Sequence, residues 1–169
     1  MADITNVVVG ACSVNFNGLD LGHTKDGVEV SYEPEYMDVS VDKYGNTVVE
    51  KKLLGEKLTA KVKLAEFTIA NLRNAIPNAT FAGAGNSRIL IGQNAGQSQK
   101  SNAYQLVLHP LSEGTKRHDI IFYKAVVTEA VVLPHVNDAE KLVEVTFTAL
   151  LDETKSAGNY LGMIGDSTT

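Results

Sequence analysis

Val28-Glu29-Val30-Ser31-Tyr32-Glu33-Pro34-Glu35-Tyr36 sets apolar side chains at every second position and acidic or hydroxyl ones between them. A period of two marks a half-buried strand, with one face to a core and the other, here acidic, to solvent. Pro34 has no N–H for a ladder, so this strand is expected at a sheet edge or bulged there. Lys57 to Leu64 answers it: Leu58, Ala60, Val62 and Leu64 alternate with Lys57, Thr59, Lys61 and Lys63, which gives a basic outer face. Folded about Tyr44-Gly45-Asn46, the two stretches would pair with Glu35 near Lys57 and Glu29 near Lys63, contacts worth ~0.2–1 kcal/mol each that help register more than stability. The connection from Met37 to Glu56 is too long for a tight turn and still carries Val39, Val41, Val48 and Val49, which predicts a projecting β-hairpin arm over 38–54.

The flanking sequence is also strand-like, rich in Val, Thr, Tyr and Phe, whose branched and aromatic side chains suit a pleated, half-buried surface. Apolar runs at 4–9 and 11–16 lead to Asn17-Gly18, a two-residue turn signal between Ser13-Val14-Asn15-Phe16 and Leu19-Asp20-Leu21. One helix is predicted over 68–76, with Thr68 as N-cap, Ile69, Leu72 and Ile76 on one stripe and Pro77 just past its end. Phe67, before the cap, is placed to pack on Leu72 as a hydrophobic staple. A helix this short is marginal alone and must dock on the sheet. Residues 78–102 form a Gly-rich loop with at most one short strand, Ile89-Leu90-Ile91. Strands follow around 103–109, 119–134 and 141–151, the last two joined by a turn at Asn137-Asp138. The last of them sets Val143, Val145, Phe147, Ala149 and Leu151 on one face against Glu144, Thr146 and Thr148. The C-terminal segment 155–169 combines three glycines with Tyr160, Leu161, Met163 and Ile164, apolar content that calls for a docking surface.

The 169 residues suit a single mainly β domain, 1–169. Fifteen Lys+Arg against twenty Asp+Glu give a net charge of −5, so the basic surface of a protein that grips phosphate backbones is missing. The apolar runs fall far short of a membrane span, and the N-terminus lacks the basic start and apolar run of a secretory signal, so the chain is expected in a cytoplasm and away from membranes.

No catalytic, metal or cofactor motif emerges. His23, His109, His118 and His135 never stand at the spacing that presents two imidazoles to one metal. Gly83-Ala84-Gly85 lacks the third glycine of a dinucleotide fingerprint. Cys12 is the single cysteine, which leaves no disulfide within the chain; without a nucleophile signature around it, it reads as a small core residue. Glu33 with Glu35, or Glu50 with Glu56, could be cast as an acid/base pair, but a solvated strand face explains them more simply. Six tyrosines (32, 36, 44, 104, 123 and 160) could floor a ligand pocket in a monomeric β-barrel, a reading that competes with self-assembly.

The order of features is itself specific. An arm carrying Asp42-Lys43-Tyr44-Gly45-Asn46-Thr47 is followed by Lys57-Leu58-Thr59-Ala60-Lys61-Val62-Lys63-Leu64-Ala65-Glu66-Phe67-Thr68 and a short helix, and a closing strand pair runs into Val145-Thr146-Phe147-Thr148-Ala149-Leu150, with Tyr160-Leu161-Gly162-Met163-Ile164-Gly165-Asp166 at the end. This arrangement resembles the tail tube (major tail) proteins of long-tailed bacteriophages. The likeness spans nearly the whole chain, is strongest over 27–77 and 119–151, and is absent over 78–102.

That resemblance implies a β-sandwich or half-open barrel of two sheets with one short flanking α-helix and a long projecting β-hairpin arm. It also implies hexameric rings stacked into a hollow tube through which phage DNA passes without specific binding. The chain would assemble in the host cytoplasm and reside in the virion tail, with itself, tape measure, tail terminator and tail-tip or baseplate proteins as partners. Inter-ring contact then falls to Asp42, Lys43, Tyr44, Glu50, Lys51 and Lys52 on the arm. Tyr160, Leu161, Met163 and Ile164 of the C-terminal segment become candidates for contacts between subunits or rings. The Hcp-like tube component of a type VI secretion or contractile injection system would share this geometry. An acidic chain suits a conduit, since each phosphate neutralised by Lys or Arg would add affinity for the cargo. Repulsion between acidic subunits reaches only about 8 Å at physiological salt, which leaves stacking to apolar burial and matched charges. Reversing the charge at Lys51 and Lys52 is expected to shorten or abolish tubes seen by negative-stain electron microscopy while leaving the monomer folded; unchanged tubes would exclude a stacking role for these lysines.

Overall fold

A computed structural model describes residues 10–135, 137 and 140–166. The apolar run at 4–9 and Asp138 of the expected turn lie outside the described residues. Seven strands form one antiparallel path: β1 (Cys12–Phe16), β2 (Leu19–Asp20), β3 (Thr24–Ser40), β4 (Val48–Leu64), β7 (Tyr104–Pro110), β8 (Ile120–Val127) and β9 (Val143–Ala149). Their order is β2-β1-β7-β8-β9-β4-β3, and β10 (Gly162–Ile164) pairs with β8 beside the end of β9. The sheet curls until β3, at one end of the path, meets β1 near the other, where Thr24 Oγ1 donates to the Cys12 carbonyl at 3.3 Å. A second, two-stranded sheet pairs β5 (Ala79–Ala82) with β6 (Arg88–Ile91). The mainly β fold is therefore a half-open barrel with a small second sheet and one short helix, α1 (Ile69–Ala75).

The core follows the period-two faces. Val14, Phe16, Leu106, Leu108, Phe122, Val62, Val145 and Phe147 are all buried inside the curl. Phe16 meets Phe147 at a 5.0 Å ring separation and Tyr104 edge-on at 5.9 Å, contacts worth about 0.5–1.5 kcal/mol beyond the area they bury. The β1–β2 turn falls on Asn17-Gly18 as expected. Both residues have positive φ, 54° and 75°, the twist that a two-residue hairpin requires.

Several expectations need correction. The arm closes over a one-turn helix at Asp42–Tyr44, and the ladder shifts register between Glu35 and Tyr36 and between Val39 and Ser40. Glu33 therefore faces Lys57 and Glu29 faces Lys61, while Lys63 reaches Asp26 at 3.1 Å. Opposite charges still meet, because both strands repeat their charges every second residue. The expected loop at 78–102 contains the β5–β6 hairpin, whose partner strand Ala79-Thr80-Phe81-Ala82 is too short to show a period. On β9 the apolar face is buried through Ala149, but Leu151 lies past the strand end and is exposed. Thr146 is buried as well; Val126, opposite Thr148, is fully buried and draws that face out of solvent.

The helix has its predicted cap, with Thr68 Oγ1 accepting from the Asn71 N–H at 3.1 Å. Its inward face differs: Asn71, Leu72, Asn74 and Ala75 are buried, whereas Ile69 is exposed. The cause is Asn71, whose Nδ2 donates to the carbonyls of Leu21 at 2.8 Å and Glu66 at 3.2 Å and so fixes the rotation of the helix. Phe67 is exposed and lies edge-on to the His135 ring at 6.2 Å. Asn71→Ala would strand the Leu21 carbonyl in a buried site and is expected to lower stability by about 1–3 kcal/mol in urea unfolding; an unchanged midpoint would show that the side chain does not hold the helix.

Candidate assembly surface at the arm and its root

β4 pairs with β9 only from Thr59 to Leu64, so beyond Thr59 the β3–β4 hairpin continues as a two-stranded ribbon. Each strand is 17 residues long, against 7 in β9. The face that points into the barrel at Val28 and Val30 runs on through Tyr32 and Tyr36 with Leu58 and Leu53 opposite. Tyr32, Tyr36 and Leu53 are more than half exposed, a correction to the expectation that the whole 28–36 face turns to a core. Met37, Val41, Tyr44, Val48, Val49 and Leu54 complete an arm whose apolar side chains are exposed on both faces, Leu54 to 60%.

The predicted arm residues are placed as follows. Asp42, Lys43 and Tyr44 form the tip, with Lys43 Nζ 5.5 Å from the centre of the Tyr44 ring. Lys51 Nζ is bound to Asp38 at 2.7 Å across the ribbon, and Lys52 stands 3.9 Å from Glu50. Both pairs are exposed and contribute little to folding. Lys51 already has a carboxylate partner within its own arm.

The C-terminal residues dock on their own barrel. Leu161 accepts from the Tyr123 N–H at 3.1 Å, and the Gly165 N–H donates to the Asp119 carbonyl at 2.8 Å. Leu161 and Met163 are half-buried against β8, while Ile164 is 74% exposed. Gly162 is required at this crossing, since a Cβ there would lie 2.4 Å from the Ile121 carbonyl oxygen. The segment leading to β10 is tied down at Asp152, a buried carboxylate that meets Lys124 at 2.8 Å and accepts from the Thr154 hydroxyl and N–H. Tyr123 adds a hydrogen bond to Asn159 at 2.9 Å and stacks under Lys155 at 4.3 Å.

Between β10 and the root of the arm lies a groove of about 240 Å³. Tyr32, Leu58, Ile120, Met163 and Ile164 line it, with Glu56 as the charged residue of the wall. The Tyr32 hydroxyl donates to Glu56 at 2.5 Å, which pushes the phenol above its ordinary range. Sequence reasoning missed this groove, because its walls come from β3, β4, β8 and β10 and no local pattern joins them.

The residues weighed for chemistry are dispersed. Cys12 is half-buried, and burial first, then the charge of Asp119, pushes its thiol up to about 11, away from the thiolate form. His109 is bound to Asp119 at 2.5 Å and His118 to Glu113 at 2.6 Å. Among the described residues no group of three or more His, Cys, Asp or Glu is arranged to hold a metal ion. Glu50 lies opposite Val39 toward the arm tip and Glu56 opposite Pro34 at its root. None of the described helices is long and apolar enough to cross a membrane. No protein-family model matches the chain, and no curated protein matches it in sequence.

The Lys124 ammonium, bound to Asp152, holds that carboxyl at about 2 against an ordinary 3.8. The folded value is the lower one, so its contribution to stability is fully present above the ordinary value and is lost as pH falls through about 2. Asp152→Asn is expected to be less stable than the natural protein near neutral pH, with the gap in urea midpoints closing as the pH is lowered to about 2. A gap independent of pH would mean that ionisation of Asp152 does not fasten this segment.

Proposed function

We propose that this protein is a structural virion subunit that assembles into hexameric rings stacked as the hollow tail tube of a long-tailed bacteriophage, through which DNA passes to the host cell. The observation that carries this reading is the arm: a two-stranded ribbon leaves the barrel with large apolar side chains exposed on both faces. A two-stranded ribbon is marginal in water unless another surface covers it, and a contiguous exposed apolar surface marks an interaction site. β3 is also the end strand of its antiparallel sheet among the described residues, touching β1 near Thr24, and an end strand is the element through which copies of a chain can join edge to edge. Charge supports it as well, since a net −5 disfavours retention of DNA. In this reading the partners are further copies of the chain, together with the tape measure, tail terminator and tail-tip or baseplate proteins, and the site of action is the virion tail.

A second reading draws on the groove at the arm root, whose size and apolar lining would suit a small ligand. The two readings differ in solution size. A tube subunit is expected to give rings or hollow tubes of uniform width when concentrated, with and without a tail-tip extract, whereas a ligand-binding barrel stays monomeric. Leu53→Asp combined with Leu54→Asp is expected to abolish tubes while leaving the far-UV spectrum unchanged, because both side chains are exposed in the single chain. Tubes that persist in this variant would remove the arm from the assembly.

A further inference from the structure

We infer that the groove at the root of the arm seats the arm tip of a second copy of this chain, so that successive copies join tip to root. This rests on the tube reading and names the contact that would stack it. Four observations carry it.

The groove presents a strand edge that is unpaired among the described residues. In the β10–β8 ladder, Leu161 and Gly165 direct their bonding groups at β8, and alternate residues of an antiparallel strand point the opposite way. The N–H and C=O groups of Gly162 and Ile164 therefore face away from β8, toward the groove and the root of β4. A free edge beside an apolar wall takes an added extended segment, with backbone bonds for affinity and pockets for alternate side chains; the extended stretch that leads into the tip is β3 up to Ser40, the end strand of its sheet among the described residues.

The arm of the same chain cannot supply that segment. Its strands start at the groove wall, at Tyr32 and Leu58, and run outward. From Tyr32 to Val41 is nine residues of extended chain, about 30 Å at the usual rise. The tip thus reaches another copy and not its own root.

Tip and groove match chemically. The tip exposes Val41, Tyr44 and Val48 and carries Lys43. The groove offers Tyr32, Leu58, Ile120, Met163 and Ile164, with Glu56 as its charged wall residue. Lys43 brings an opposite charge to Glu56 when the apolar surfaces close, while Asp42, also at the tip, meets no cation among the groove residues.

The symmetry fits a tube. Tip and root are different surfaces, so the contact is heterologous, and repeating it along the arm gives an open stack instead of a closed pair.

The test uses the full chain. In a Cys12→Ala background, one preparation carries Tyr44→Cys and a second Ile164→Cys; the two are mixed, assembled and oxidised with copper phenanthroline. A disulfide-linked pair is expected from the assembled fraction, and none when Gln93→Cys, in the loop after β6, replaces Tyr44→Cys. In parallel, Glu56→Lys is expected to leave rings that do not stack, and Lys43→Glu added to the same chain to restore tubes. Tubes from the natural protein without the 44–164 cross-link, or unimpaired tubes from Glu56→Lys, would overturn the tip-to-root contact and leave the tube reading standing. Natural protein that forms neither rings nor tubes would overturn both.

Discussion

Backbone pairing between β3 and β4 begins inside the barrel, where Thr24 faces Leu64 and Val28 faces Val62, and continues to Ser40 opposite Val48. Its length is the constraint from which the rest follows. β9, the other neighbour of β4, supplies only seven residues, so the outer part of β4 has no partner on that side and the ladder must leave the sheet. The barrel end of the same ladder buries Ala60, Val62 and Leu64. One hairpin thus contributes to the core at one end and exposes apolar surface at the other. Core and exposed apolar surface are two stretches of one continuous face.

The C-terminal segment meets this hairpin at the point of departure. β10 takes the place beside β8 that β9 vacates, and Asp152 with Lys124 fixes the turn that returns the chain to it. Had β10 been absent, β8 would present a free edge at Ile120 to Phe122; with it, that edge moves outward to Gly162 and Ile164. The fit at Gly162 against the Ile121 carbonyl shows that this is a close-packed crossing and not a loose tail.

Strand identity was legible in the sequence wherever a period of two ran for more than about five residues, as in β3, β4 and β9. The arm was legible from length alone, because Met37 to Glu56 exceeds any tight turn and keeps its valines. Register was legible in part: Pro34 marked β3 as an edge or bulged strand, and β3 is the end strand of the path with a shift just past Pro34, whereas the shift after Val39 has no such mark. Leu72 is buried as the stripe required, but exposed Ile69 and buried Asn71 turn the helix face from the expected one, because a side-chain amide bound to the Leu21 and Glu66 carbonyls outweighed apolar periodicity there. Among the candidate site residues, the arm positions were singled out because charge and valine coincide there, and they do lie on the projecting ribbon and its tip. The groove was out of reach, since Tyr32, Glu56, Ile120 and Ile164 are brought together only by topology.

The attachment of the arm also has a mechanical side. A pull on the tip, directed along the ribbon, enters the barrel through β4 and meets the ladder to β9, from Thr59 opposite Thr148 to Leu64 opposite Val143. Strands pulled along their own axes load all those hydrogen bonds at once, in shear, instead of opening them one after another like a zipper. Force on the arm is thereby spread over the whole β4–β9 ladder and not concentrated on its first pair.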